Sequence, residues 1–202
     1  MNTFQLDTQP RSGTGKKATK ADRAQGLIPC VVYGRDGVEH FTTTHADVRK
    51  LVFSPAFQLV EFEGASGAKA ILKDVQYHPT TEAIEHIDFL KLEDGYPVKV
   101  ELPLRIKGVS PGVKGGGRLV QSVRKVKVKT LPEHLVDELF VSIDGLELGE
   151  AVRVRDIDLP DGVQLLVNTA VPVALVEVPR ALRSAATAAA KEGAPAVEAE
   201  VE

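Results

Sequence analysis

Apolar and polar positions alternate through most of this chain with a period of two, the spacing of strands that bury one face. Residues 2–7 alternate around Phe4 and Leu6, and residues 27–33 form an almost continuous apolar run, as a doubly buried strand does. Arg35, Asp36 and Gly37 are a hairpin turn, after which residues 38–43 can return antiparallel. Thr44 is placed to cap a short helix over 45–53, with Val48, Leu51 and Val52 on one face. Strands follow at 57–63, 68–78 and 84–92, separated by a turn at 64–67 and by His78-Pro79. The polar stretch 92–95 then interrupts the pattern.

Alternation restarts at 97–107, where Val98, Val100, Leu102, Leu104 and Ile106 interleave with polar residues. A glycine loop is expected over 108–117 and one long strand over 118–130, with Arg124, Lys127 and Lys129 between valines. Shorter strands are expected at 139–143, 151–154, 163–167 and 171–178, separated by Asp-Gly, Leu-Gly and Pro-Asp-Gly turns. The pattern predicts a mostly β protein: an antiparallel N-terminal β-barrel with short helices over 1–94, then an antiparallel β-sandwich-like domain over 95–180. The Ala/Glu-rich segment 181–202 has no core-forming pattern and is expected to be a disordered or helical tail.

Composition adds little to this until it is read locally. At 43% hydrophobic and 26% charged, the chain has the make-up of a folded soluble protein, and no apolar run reaches the ~20 residues of a membrane helix. The N-terminal residues lack the apolar core of a secretory signal. The single Cys30 rules out an internal disulfide and points to a reducing compartment. The net charge of -3 comes from the end of the chain, where Lys191 faces four glutamates. Residues 11–26, in contrast, hold five cations and only Asp22.

Those cations, Arg11, Lys16, Lys17, Lys20 and Arg23, lie on a Gly/Ser/Thr-flanked segment that leads into the strand ending at Tyr33. Clustered cations beside an aromatic-bearing strand are an electrostatic footprint for a phosphate backbone. If residues 17–25 become helical, Lys16, Lys20 and Arg23 share one side at i, i+4 and i+7. On the strands, His86 and Asp88 project to one face, as do Asp74, Gln76 and His78. Such a face could contact groove edges or 2′-hydroxyls of RNA. It could also be the wet side of a sheet, or, with His78, His86 and Asp88 converging, the metal site of a small hydrolase. The PGVKGGG stretch at 111–117 lacks the Gly-Lys-Ser/Thr ending of a phosphate loop and is expected to be a flexible connection. The lysines over 124–129 are read as protection of a strand edge.

Four motifs in order, RSGTGK (11–16), GLIPCVVYG (26–34), KDVQYHP (73–79) and EHIDF (85–89), resemble the bacterial large-subunit ribosomal proteins that bind 5S rRNA. This is the L-twenty-five family, here in its long two-domain form, also called CTC or general stress protein. VELPLRIKGVSPGVKGGG (100–117), VSIDGLELGE (141–150) and DIDLPDGV (156–163) resemble that form's second domain. The resemblance implies a non-catalytic, cytoplasmic ribosomal protein of the central protuberance, with no cofactor, no membrane and no obligate homo-oligomer. Its implied partners are 5S rRNA, neighbouring large-subunit proteins and 23S rRNA. It assigns RNA contacts to Arg11, Lys16, Lys20, Arg23, Tyr33, Lys73, Gln76, His86 and Asp88, to which the cation cluster adds Lys17. The departures are Ala21, Asp22 and Ala24 where basic or apolar residues are common, and Lys20 in place of arginine, which loses a planar fork for phosphate.

Overall fold

A computed structural model describes residues 2–11, 13–35, 37–63 and 69–180. The turn expected at 64–67 and the tail expected at 181–202 lie outside the described residues. The rest falls into two compact units: Met1–Leu104 with Lys125–Leu139 and Leu159–Val167, and Arg105–Arg124 with Phe140–Asp158 and the chain from Asn168.

The first unit begins with β1 (Thr3–Asp7), β2 (Gln9–Pro10), α1 (Lys16–Ala24), β3 (Leu27–Tyr33), β4 (Val38–Thr44) and α2 (His45–Val52). It continues with β5 (Leu59–Glu63), β6 (Lys69–Tyr77) and β7 (Ile84–Lys91). The seven strands form one sheet in the order β1-β5-β6-β7-β3-β4-β2. Its two edge strands, β1 and β2, are separated only by Thr8, so the sheet curls until both edges meet in one stretch of chain. The two edges are joined by the chain at Thr8 and share no ladder, so the curl brings them together without closing the sheet by hydrogen bonds. Two pairings, β1 with β5 and β3 with β7, are parallel. Alternation and hairpin turns alone favour antiparallel neighbours, and these two pairs join segments distant in sequence. Pro29, inside β3, lacks a ladder N–H; pairing with β7 begins one residue later, at Cys30 opposite Ile87.

Inward-facing residues fill this barrel. Phe89, Leu6, Ile87 and Val60 are fully buried, and the rings of Phe41, Phe62 and Phe89 lie 5.0 to 5.9 Å apart. Phe62 meets Phe89 edge-on at 86°, a favoured quadrupole geometry. Helix α2 contributes Val48 and Leu51 to the same core, and the Thr44 hydroxyl accepts from the Asp47 N–H at its N-terminus.

The first unit also includes part of β8 (Val98–Lys107), and it contains β10 (Lys125–Thr130) and β14 (Gln164–Leu165). Between these lie α3 (Pro111–Lys114), β9 (Arg118–Gln121), β11 (Leu139–Ser142), β12 (Ala151–Arg153) and β13 (Ile157–Asp158), with β15 (Pro172–Glu177) last. Antiparallel pairing places β10 between β8 and β14.

In the second unit, β12, β15 and β9 form an antiparallel sheet, and β11 pairs antiparallel with β13. The strand expected over 118–130 is two strands. Ser122 and Val123 both donate their N–H to the Val173 carbonyl, at 2.8 and 3.2 Å, and this ends β9. The glycine loop expected at 108–117 contains a helical turn instead. Ser110, fully buried, accepts from the Val113 N–H and donates to the Leu146 carbonyl at 2.6 Å, capping α3 ahead of Pro111. Gly112 is there for packing: a Cβ would come within 2.7 Å of the Glu147 backbone.

Candidate nucleic-acid interface

Helix α1 is a weak helix by local rules. Its N-cap is Gly15 with no side-chain cap, its first turn contains no acid, and Lys16 and Lys17 sit at the positive end of its dipole. None of its residues is buried. Two arginines tie it down. The Arg11 guanidinium donates to the Thr19 hydroxyl at 2.9 Å and meets the Asp22 carboxylate at 2.8 Å, with little of either side chain exposed. Arg23 donates twice, at 3.1 and 2.9 Å, to the Glu85 carbonyl at the start of β7. Asp22, a departure from the family pattern in sequence, is therefore the counter-ion of Arg11. Lys16, Lys17 and Lys20 are exposed, and among the described residues no carboxylate pairs with them.

Beside α1, register aligns the polar side chains of three strands. Gln76 of β6 lies opposite His86 of β7, and Asp74 lies opposite Asp88. Asp88 is in turn level with Val31 of β3, two residues before Tyr33. The His86 Nδ1 and the Asp88 carboxylate are 2.7 Å apart, each side chain about a quarter exposed. Partial burial, then the Asp88 and Asp74 carboxylates, push the Tyr33 phenol above its usual value, so it stays an O–H donor. On the inner side of β3, burial and then Asp88 raise the Cys30 thiol, leaving it an inert core residue.

The structure thus brings together Lys16, Lys17, Lys20 and Arg23 on α1 with Tyr33, Gln76, His86 and Asp88 on the adjoining strands. Arg11 is beneath them as an anchor. Lys73 stands apart. The β6–β7 register jumps from Leu72–Phe89 to Asp74–Asp88, which makes Lys73 the extra residue of a β-bulge. Its ammonium donates to the Lys99 carbonyl at 3.1 Å. One neighbour was missed from sequence. His40 of β4 is exposed and lies opposite Val31, in the same cross-strand row as Asp88 and Asp74. Its alternation with buried Phe41 gives its direction, but not that β4 lies next to β3 and β7 in this row.

The hydrolase alternative needs His78, His86 and Asp88 to converge. His78 Nδ1 accepts instead from the Thr80 and Thr81 N–H groups, both at 3.3 Å, within its own turn. Among the described residues no three His, Cys, Asp or Glu side chains are grouped to hold a metal.

Comparison with known proteins finds relatives along nearly the whole chain. Residues 6–89 match the model of the ribosomal L25p family, and residues 97–180 match that of the ribosomal protein TL5 C-terminal domain. A large ribosomal subunit protein bL25 of Porphyromonas gingivalis is 41% identical over 189 residues, covering 92% of this chain and 98% of the relative. This chain belongs to the bacterial L25 family of ribosomal proteins. Relatives of the same name in Bacteroides thetaiotaomicron and Phocaeicola vulgatus are 37% and 34% identical. They cover 90% and 95% of this chain and 92% and 100% of their own lengths. An L25-family chain is a structural component of the bacterial cytoplasmic ribosome and not an enzyme, which sets the hydrolase alternative aside.

Proposed function

We propose that this L25-family chain binds 5S rRNA through α1 and the outer faces of β3, β6 and β7, and so helps form the central protuberance of the large subunit. The supporting observation is the juxtaposition of two different chemistries. Lys16, Lys17 and Lys20 give exposed positive charge for phosphates, with Arg23 beside them where α1 meets β7, and such contacts fix position without reading sequence. Next to them, Asp88, His86, Gln76 and Tyr33 offer acceptors and donors at fixed spacing on rigid strands. Carboxylates are unfavourable near a polyanion unless they accept hydrogen bonds from it. RNA provides such donors in 2′-hydroxyls and exocyclic amines on the wide minor groove, whereas the deep A-form major groove excludes side chains. In this reading Arg11 holds α1 in place, and Lys73 contacts RNA only from the side of β8. Residues 1–94 carry this 5S site, and residues 95–180 supply surface for neighbouring large-subunit proteins or 23S rRNA.

The two chemistries make separable predictions. Asp88→Ala should weaken 5S rRNA binding by roughly 1–3 kcal/mol, the scale of a lost specific contact. Binding to tRNA should hold or tighten, because a negative charge leaves the surface. Gel-shift titrations of the full chain with both RNAs measure this. Equal loss on the two RNAs would move Asp88 from recognition to a merely structural role.

A further inference from the structure

A second basic surface lies in the first unit, bordering Asp74. The outer faces of β8 and β10 carry Lys99, Lys125 and Lys127. With Lys73 they line a groove of about 760 Å³ that Phe57 and Tyr77 also line, the latter 46% exposed. Sequence alone makes lysines on alternate positions of a strand a guard against edge pairing. The structure removes that explanation for β10 from Lys127 to Lys129. Val128 and Lys129 pair with β14 on one side and β8 on the other, and the Lys127 carbonyl accepts from the Leu166 N–H at 3.0 Å.

The lysines are also placed at a cost. Lys129 lies directly opposite Lys99 across the β8–β10 ladder, and like charges in that position destabilise a sheet. Lys127 has one carboxylate, Glu101, at 3.4 Å, with both side chains more than half exposed. An exposed pair of this kind contributes little and exchanges readily for another anion. Among the described residues the Lys99 and Lys125 ammoniums have no partner. The acids lining the groove are Asp74 and Glu101. Asp74 is also the cross-strand neighbour of Asp88, so the groove adjoins the candidate 5S site.

We infer that this groove is a second RNA contact, in which Lys99, Lys125 and Lys127 hold the backbone of a strand leaving the barrel face and Tyr77 offers a ring to an unstacked base. The inference rests on the RNA-binding reading above. An RNA strand fits the observations better than a protein partner does: two unpaired ammoniums and a third held only by an exposed ion pair share the groove with an exposed aromatic, and base–aromatic stacking combined with backbone lysines is how single strands are held.

The test uses the full chain, 5S rRNA and a salt series. Changing Lys99, Lys125 and Lys127 together to glutamine should flatten the slope of log affinity against log salt by roughly 2 to 3, about one unit per lost phosphate contact. The matching triple change to arginine should keep the wild-type slope, which separates loss of charge from damage to the strands. A glutamine variant with the wild-type slope overturns the inference. One that keeps the slope but no longer co-sediments with large subunits assigns the groove to a protein partner, and also overturns it. If wild-type protein shows no preference for 5S rRNA over tRNA, the underlying reading fails and the groove fails with it.

Discussion

Alanine at Lys16, Lys20 and Arg23 together is expected to lower 5S rRNA affinity about a hundredfold at 0.15 M salt while leaving the barrel folded. The size follows from counterion release. Each phosphate contact contributes about 0.7–0.9 log units of affinity per tenfold change in salt, so three contacts amount to about two log units between 1 M and 0.15 M. The salt slope should flatten by roughly 2 to 3 in parallel. Alanine is the strongest helix former, and α1 remains anchored through Arg11 to Thr19 and Asp22, so the helix should persist. Circular dichroism of the variant checks that. Affinity and slope both unchanged would reduce α1 to a solvated helix.

The largest stability effect is expected at Phe89. Its ring is fully buried against Phe41 and Phe62, inside the curled seven-stranded sheet, so the neighbouring strands have little freedom to collapse into the space left behind. Phe89→Ala should cost about 3–5 kcal/mol. Urea unfolding followed by circular dichroism should show a lower midpoint with little change in slope, and 5S binding should survive wherever the variant remains folded. Phe89 and Asp88 are adjacent in sequence and point to opposite sides of β7. The contrast between a stability defect at one and a recognition defect at the other tests the inside-out assignment of the strand directly.

Much of the barrel was legible because local patterns decided it. The run LIPCVVY gives β3 to the residue, and the Thr44 cap gives the start of α2. What was not legible depends on partners far away in sequence. Alternation fixes which way a side chain points, but not which strand lies next to it. The curl that brings the two sheet edges together at Thr8, the parallel β3–β7 pair and the place of His40 beside Val31 all follow from such pairings. The break between β9 and β10 is of the same kind, since it is set by the Val173 carbonyl accepting two N–H groups. At α3 a local signal was present but outweighed: Ser110-Pro111 is a helix start, and the glycines after it suggested a loop.

For the site, residue types and spacing gave the cations and the His86–Asp88 pair. They could not give the different fates of those residues. Arg11 and Asp22 become an anchoring pair because α1 folds back over the chain that precedes it. Lys73 leaves the group because a single extra residue in β6 turns it toward Lys99. Neither leaves a mark in the periodicity, because each depends on one register shift or one side-chain contact.

The most direct test of the central claim is a titration of the full chain with 5S rRNA and with tRNA of comparable length, at two salt concentrations. Selective binding to 5S rRNA that weakens as salt rises is the predicted result. Equal binding to both RNAs, or none at either salt, would contradict it.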